Sequence, residues 1–405
     1  MSYRKFRADQ LFTGDRLLPN SHVLITNEEG VIESIVPSPD AGGDVLELKG
    51  ILSPGFINCH CHLELSHLKG TIRKNTGMTD FILNVVNERH HAKEIIVSAI
   101  EAAENEMLQN GIVATGDICN TDFTLAQKKK GRMHYHNFIE VSGFSPSIAG
   151  DRFATSVAFF NAFAQQYALP VESNSIVPHA PYSVSPELFQ TITNFPGNHI
   201  LTMHSQESLA EEHLFKDKRG DFLRLYEQMN IDLSFFNASG KTSLQTVLPY
   251  FKKNQTLILV HNVTTSEKDI NNLSASSFLL PAPGSRLPAH HLYFCVCPNA
   301  NLYIGNGLPD IDLLMSSGYP IVLGTDSLAS NHQLSILNEI RTVQKQFPHI
   351  ELTQLLQWAT INGAKALQLD EMLGSFEKGK RPRVLLIHGA TETILENNSS
   401  VERLL

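Results

Sequence analysis

The chain has 405 residues, of which 42% are hydrophobic and 18% are charged, and its formal net charge is -9 at pH 7. This length allows a large barrel-type domain with a small additional domain, or two ordinary domains. The negative charge argues against a protein that binds nucleic acid or anionic membranes, because such surfaces are basic. We interpret the short basic run at residues 128–130 as a solvated loop.

The first residues, MSYRKFRADQLFTGDRLL, contain no apolar segment followed by a cleavage site. No stretch reaches the ~18 consecutive apolar residues of a membrane span. The five cysteines are an odd number and do not form a disulfide framework for a chain of this length. We therefore predict a cytoplasmic protein with reduced thiols and no membrane partner.

Residues 1–54 contain short alternating apolar runs that are broken by Asn, Gly and Pro, as in strands and turns. Residues 375–405 repeat this texture. We expect the two ends to form one small β domain, with a catalytic domain over residues 55–374 between them.

In the middle, apolar strand candidates alternate with helical patterns. The clearest helix has Ile96, Ile100, Ala103 and Met107 at helical spacing and stops at Gly111. Eight strand candidates follow one another, beginning with FINCHCH and continuing with GIVATGDI, RMHYHNFIEV, NSIVPHA, HILTMHSQE, TLILVHN, LYFCVCPN and YPIVLGTDS. Such alternation predicts an α/β fold with a parallel (β/α)8 barrel. A doubly wound sheet is the alternative, but no glycine-rich dinucleotide loop accompanies it.

Chemistry in a parallel barrel lies at the carboxyl ends of the strands. Each candidate residue there is an imidazole or a carboxylate, and the set is His60, His62, His179, His204, His261 and Asp326. Three imidazoles and one carboxylate suit a borderline cation such as zinc or ferrous iron. His179 and His261 are left as groups that contact the substrate or support the ligands.

His60 and His62 are two residues apart, so both side chains point to the same side of a strand and can converge on one ion. Cys59 and Cys61 then face the helices. The same spacing at His134 and His136 falls within the third strand, where we expect a structural role.

Glu207 follows His204 by three residues, which places a carboxylate near the ion without making it a ligand. This arrangement suits a general acid/base, whereas a helix-terminal carboxylate is the alternative. Asp326 stands where the last strand breaks, and a helix cap is the alternative there.

The ordered motifs resemble the amidohydrolase superfamily, in its deaminase and chlorohydrolase branch. They are PGFINCHCH, PHAPYSVS, MHSQE, LVHN, CPNANLYIGNG, LGTDSLASN and ATINGAKAL, and they cover nearly the whole chain. The resemblance implies a (β/α)8 TIM barrel with a small β-sandwich domain built from both termini. The tail departs from the usual Gly-Lys-x-Ala-Asp pattern, since it reads GKRPRVLL.

By position, the resemblance implies that His60, His62, His204 and Asp326 hold one divalent metal ion per subunit, Zn²⁺ or Fe²⁺. Glu207 then shuttles protons to the substrate, and His261 orients the attacking hydroxide. Relatives with two ions use a bridging lysine on the fourth strand, yet no lysine lies between Lys130 and Lys216. Glu140 is the remaining candidate for a bridge. The family's habit implies a homodimer.

The stretch HLELSHLKG resembles the aminodeoxyfutalosine deaminases of menaquinone biosynthesis. This implies that Glu64 reaches a substrate hydroxyl or base, although a solvated loop glutamate is the alternative. The predicted reaction is hydrolytic deamination of an adenine nucleoside-like small molecule, in which Asp326 accepts a proton from water and Glu207 protonates a ring nitrogen. His179 is assigned to substrate binding.

Other substrates fit the same machinery. They are S-adenosylhomocysteine or methylthioadenosine, guanine or cytosine, and a cyclic amide or chlorotriazine. A barrel that has lost catalysis and acts as a scaffold is the alternative outside enzymes.

Overall fold

The computed structural model describes residues 2–166, 173–276, 291–391 and 393–405. The strands are β1 (Tyr3–Arg7), β2 (Gln10–Phe12), β3 (Leu17–Pro19), β4 (His22–Asn27), β5 (Ile32–Pro37), β6 (Val45–Glu47), β7 (Ile51–Pro54), β8 (Phe56–Cys61), β9 (Ile112–Cys119), β10 (His134–Val141), β11 (Asn174–Pro178), β12 (Ile200–Ser205), β13 (Thr256–His261), β14 (Leu292–Val296), β15 (Ile321–Leu323), β16 (Val384–Ala390) and β17 (Leu395–Arg403).

The helices are α1 (Met78–Glu88), α2 (Lys93–Gln109), α3 (Leu125–Lys128), α4 (Ala149–Gln166), α5 (Pro186–Asn194), α6 (Leu209–Asp217), α7 (Phe222–Gln228), α8 (Ser243–Val247), α9 (Glu267–Ala275), α10 (Pro298–Ile304), α11 (Ile311–Ser316), α12 (Ile336–Gln346), α13 (Leu352–Ala359) and α14 (Ile361–Ala366). Helices therefore follow every strand from β8 to β15. None of the helices in these ranges is long and apolar enough to cross a membrane.

Strands β8 to β15 are parallel and form two four-stranded sheets, β8-β9-β10-β11 and β12-β13-β14-β15. Backbone hydrogen bonds connect the two sheets at both edges. His204 N donates to His179 O at 2.9 Å, and Thr325 N donates to His60 O at 3.1 Å. This α/β arrangement is consistent with the predicted TIM barrel.

The eight strands are buried along almost their whole length, as expected for strands covered on both faces. The predicted helix at Ile96 is α2, whose four marker residues are all buried, and Gly111 follows it with φ +77°. It is preceded by α1, which we did not predict. Met78, Thr79 and Phe81 of α1 are buried, and Ile82, Leu83 and Val85 are partly buried against the apolar cluster that contains Met78 and Phe81.

The terminal strands form two further sheets, β5-β4-β1-β6 and β17-β16-β7-β2-β3. The second sheet contains strands from both chain ends, because β7 pairs antiparallel with β16, with Leu52 opposite Leu386. One buried apolar cluster takes residues from both sheets, among them Phe6, Leu24, Leu52 and Val384.

The basic run at residues 128–130 is not a solvated loop throughout, and that prediction was wrong for Lys128. Lys128 ends α3 and is fully buried. Its charge is compensated inside the protein, since Nζ lies 2.5 Å from Asp117 Oδ2 and donates to Asn137 Oδ1 at 2.7 Å. Lys129 and Lys130 are exposed, as predicted. All five cysteines are buried and free.

Candidate active site

Three imidazoles and one carboxylate converge at the carboxyl ends of the strands. His62 Nε2 lies 3.2 Å from both His60 Nε2 and His204 Nε2. Asp326 Oδ1 lies 3.5 Å from His62 Nε2 and 3.7 Å from His60 Nε2. One ligand atom from each of the four buried residues falls within 4.8 Å of the others. The structure thus brings together the four residues that the sequence singled out.

The alternation of β8 sets the direction of its side chains. His60 belongs to the cluster, whereas Cys59 faces α14, where a Cβ added at Gly363 would lie 3.1 Å from the sulfur. Glycine at this position therefore allows the helix to pack closely on the strand. The helix-facing cysteine predicted from the spacing agrees with this packing.

The histidines of the cluster are neutral, which is the form that binds metal ions. Burial, followed by repulsion from His179, lowers the pKa of both His60 and His204 to about 3. His204 Nδ1 donates to the backbone oxygen of His179 at 2.8 Å, so its Nε2 lone pair faces the cluster. Neutral imidazoles with converging Nε2 atoms fit a divalent cation.

Asp326 lies in a turn with left-handed backbone, φ +55°. Ser330 Oγ donates to Asp326 Oδ2 at 2.6 Å, which leaves Oδ1 facing the histidines. The carboxylate is therefore oriented by the loop that follows β15. Ser330 was not predicted, although it belongs to the motif LGTDSLASN.

Glu207 and His261 form a second pair beside this cluster, with Glu207 Oε1 3.4 Å from His261 Nε2. Asn301 Oδ1 accepts from His261 Nδ1 at 2.7 Å, which assigns the ring proton to Nδ1 and makes Nε2 an acceptor. Sequence reasoning missed Asn301, although the motif CPNANLYIGNG contains it.

Burial, and then the negative charges of Asp326 and Glu211, raises the pKa of Glu207 well above its usual value. This shift favours the protonated form of Glu207, which can donate a proton. Within the described ranges, Glu207 Oε2 and His261 Nε2 have no hydrogen-bond partner. The pair thus presents a proton donor and an acceptor that no protein group uses.

His179 packs against the cluster, with its ring centroid 4.7 Å from that of His204. Its Nδ1 lies 2.6 Å from Ser183 Oγ, and burial lowers its pKa to about 4. Glu140 Oε1 is 3.7 Å from His204 Nδ1, while its Oε2 accepts from Asn120. Glu140, His179 and His204 form a second group whose ligand atoms lie within 4.8 Å.

Glu64 is buried, so the alternative of a solvated loop glutamate was wrong. A 3-10 turn folds it inward, where its Oε2 accepts from Asn120 N (3.1 Å), Thr121 N (3.0 Å) and Thr121 Oγ1 (2.8 Å). Arg89 Nη2 donates to its Oε1 at 3.3 Å. Burial raises the pKa of Glu64 to about 7, although Arg89 opposes the shift.

The second His-x-His pair lies away from the cluster. His134 is the first residue of β10, and the buried His136 places its Nε2 3.0 Å from Ser175 Oγ on β11. This strand-to-strand contact agrees with the structural role predicted for the pair.

The profile of the amidohydrolase family matches residues 51–402. The adenosine deaminase of Helicobacter pylori is 25% identical over 360 residues, which are 88% of this chain and 83% of that protein. The 5-methylthioadenosine/S-adenosylhomocysteine deaminase of Teredinibacter turnerae is 26% identical over 389 residues, 92% of this chain and 80% of that protein.

The crystal structure of Helicobacter pylori aminofutalosine deaminase aligns with a TM-score of 0.81 at 21% identity, over 99% of this chain and 98% of that one. This likeness concerns the fold. The family match spans most of the chain and confirms the resemblance of the ordered motifs. The chain therefore belongs to the amidohydrolase family, and it is a hydrolase that acts on carbon–nitrogen bonds.

Proposed function

We propose that the protein is a metal-dependent deaminase of an adenine nucleoside-like compound, with 6-aminodeoxyfutalosine as the first candidate and menaquinone biosynthesis as the setting. The observation that carries the proposal is the buried Glu207 carboxyl group 3.4 Å from His261, beside a cluster of three imidazoles and one carboxylate. The relatives support it, because they are named for deamination of adenosine, 5-methylthioadenosine and S-adenosylhomocysteine, and aminofutalosine.

In this proposal one divalent cation, zinc or ferrous iron, is held by His60, His62, His204 and Asp326. When bound, the cation supplies a Lewis acid that lowers the pKa of water toward about 7. The neutral imidazoles and their converging Nε2 atoms support this ligand set. The chain has no lysine between Lys130 and Lys216, which supports one ion over a lysine-bridged pair.

Hydrolytic deamination needs one group that takes a proton from the attacking water and another that gives a proton to the ring nitrogen. We assign the first role to Asp326 Oδ1, which faces His60 and His62. Glu207 takes the second role, because burial raises its pKa and so favours the protonated form that can donate. A carbon–oxygen bond forms at the amino-bearing carbon, and the proton taken up by Asp326 passes to the amino group. The carbon–nitrogen bond then breaks, ammonia leaves, and the proton of the new hydroxyl group returns to Glu207.

His261 serves this reaction through its Nε2, which Asn301 keeps as an acceptor that can orient the attacking water. His179 and Glu64 are proposed to contact the substrate. Glu64 is supported by its rigid position, since Asn120, Thr121 and Arg89 hold both of its oxygens. A side chain held in this way can accept from a substrate hydroxyl without a further loss of conformational entropy.

We further propose that β8 to β15 close into a complete barrel over residues 55–374 and that residues 1–54 and 375–405 form a β-sandwich domain. The edge hydrogen bonds at His60 and His179 support closure, and the shared apolar cluster supports the sandwich. The homodimer implied by the family remains a prediction, which sedimentation of the purified protein tests.

Ammonia release from metal-loaded enzyme tests the function directly. The substrates to compare are aminodeoxyfutalosine, adenosine, S-adenosylhomocysteine, methylthioadenosine, guanine and cytosine, with metal-free protein as the control. We expect turnover of at least one adenine nucleoside. If none of them releases ammonia and the enzyme instead hydrolyses a cyclic amide or a chlorotriazine, the proposed deaminase activity is replaced by that hydrolase activity. Purified protein that binds no metal and turns over nothing would support the scaffold alternative.

A further inference from the structure

Gln206, the residue before Glu207, has a left-handed backbone with φ +51°. Its backbone oxygen accepts from Thr264 N at 3.0 Å, and its side-chain Oε1 accepts from Thr265 Oγ1 at 2.8 Å. Its Nε2 donates to Glu212 Oε1 at 3.0 Å and to Asp269 Oδ2 at 3.2 Å. A non-glycine residue keeps this backbone conformation only when its surroundings fix it. The turn that carries Glu207 is therefore held from several sides.

The amides of this turn are held by one carboxylate from the first turn of α6. Glu211 Oε1 accepts from Gln206 N and Glu211 Oε2 accepts from Glu207 N, both at 3.1 Å. Glu211 is fully buried. Because each oxygen takes one backbone N–H, the carboxylate grips two consecutive peptide groups immediately before the Glu207 side chain.

We propose that Glu211 is a positioning residue, whose carboxylate fixes the Gln206–Glu207 backbone so that the Glu207 side chain reaches His261. The proposal rests on the function proposed for Glu207. Burial, and then the neighbouring Glu212, raises the pKa of Glu211 to about 8, whereas the two backbone N–H groups oppose this shift. The geometry needs two acceptor oxygens, and a glutamine at position 211 has only one and would turn its NH₂ group toward the second donor. The clamp would then be broken at one of the two amides.

The neighbouring Glu212 provides a matched control. It lies on the same helix and is also buried, and its Oε1 accepts from the Gln206 side chain and from Ser243 Oγ. A glutamine at position 212 keeps an Oε1 that can accept both bonds, so Glu212→Gln leaves the contacts of the turn in place. It makes no hydrogen bond to the backbone of Glu207 among the described residues. If buried acids in α6 only stabilise the helix, Glu211→Gln and Glu212→Gln should have similar effects.

The first experiment compares Glu211→Gln and Glu212→Gln by kcat, KM, bound metal and melting temperature. We expect Glu211→Gln to lower kcat roughly 100-fold, the effect of a misplacement of about 1 Å, with KM and bound metal nearly unchanged. Glu212→Gln should keep most of kcat. Equal losses of kcat in the two variants, or loss of metal in Glu211→Gln, would overturn the proposal.

A double-mutant cycle with Glu207→Gln then asks whether Glu211 acts through Glu207. If it does, Glu211→Gln adds little to the loss already caused by Glu207→Gln, whereas fully additive losses contradict the proposal.

Crystal structures of Glu211→Gln and the wild type give a readout that needs no substrate. The Glu207 Oε1 to His261 Nε2 distance should exceed the 3.4 Å of the wild type. An unchanged distance overturns the positioning role, whereas a wild type that deaminates nothing overturns the proposed function alone.

Discussion

Lys128 Nζ lies 2.5 Å from Asp117 Oδ2, and neither side chain is exposed. The other oxygen of Asp117 accepts from Leu63 N at 2.9 Å, so the pair ties the residue after His62 to β9. The ammonium group also lies over the ring of Tyr135, at 4.9 Å. A buried ion pair thus supports the segment that carries the first two histidines of the cluster.

Lys128→Met should lower the free energy of unfolding by about 3–5 kcal/mol, because it leaves the Asp117 carboxylate buried without its cation. Urea unfolding measures the change. Lys130→Met is the matched control, since Lys130 is exposed and its contact with Glu101 at 2.9 Å is a surface pair. Such pairs contribute about 0–1 kcal/mol. Equal changes in the free energy of unfolding of the two variants would mean that the buried pair contributes no more to stability than the surface pair.

Glu207→Gln should keep bound metal and lose most turnover, because glutamine cannot supply the proton. We expect kcat to fall about 100- to 10,000-fold, the usual contribution of general acid/base catalysis. Elemental analysis of the purified variant and steady-state kinetics check the two halves of this expectation. A parallel loss of metal would reassign Glu207 as a ligand.

His62→Ala should weaken metal binding by more than about 100-fold, since loss of even an outer-shell partner costs up to that factor. His67→Ala is the control from the same segment. His67 Nδ1 contacts Glu64 O at 3.1 Å and the residue lies outside the four-residue cluster. Competition with a chelator measures both affinities. If His67→Ala loses metal as readily as His62→Ala, the ligand set is wrong.

His136 should make the protein sensitive to acid. Burial, and then Lys128, lowers the pKa of His136 to about 3, whereas the unfolded value is near 6.5. The unfolded chain binds the extra proton between these values, so the stability is fully present above pH 6.5 and is lost as pH falls toward 3. The loss at pH 5.5 is about 1.4 kcal/mol for this group.

Urea unfolding of metal-free protein at pH 7.5 and 5.5 tests this expectation. His136→Gln should lose less stability between the two pH values than the wild type. An identical loss in both proteins would mean that folding does not lower the pKa of His136.

The strands and the four clustered residues could be predicted because their signals are local. Each strand is an apolar run, and each chemical residue stands at its carboxyl end, where a parallel fold must bring such residues together. Asp326 illustrates this. Its place after the last strand left a helix cap as the alternative, and the three imidazoles at other strand ends favoured a place beside His60 and His62, where the structure has it.

Contacts between distant residues could not be predicted in this way. Lys128 and Lys130 stand in one run of three lysines, and nothing local distinguishes the buried residue from the exposed one. Asn301 contacts His261 across 40 residues of sequence. The hydrogen bond from Glu207 N to Glu211 spans only four residues, but it depends on the left-handed backbone of Gln206, for which the sequence carries no signal.

Among the described residues, backbone hydrogen bonds join β8-β11 to β12-β15 along two seams. At one seam His204 N donates to His179 O, and at the other Thr325 N and Asp326 N both donate to His60 O. The four clustered residues come from both halves of the strand set. His60 and His62 belong to the half β8-β11, whereas His204 and Asp326 belong to the half β12-β15. An ion bound to all four would cross-link the halves, so its binding energy would resist their separation. Deuterium uptake at the seam amides should slow on metal loading more than uptake inside either half.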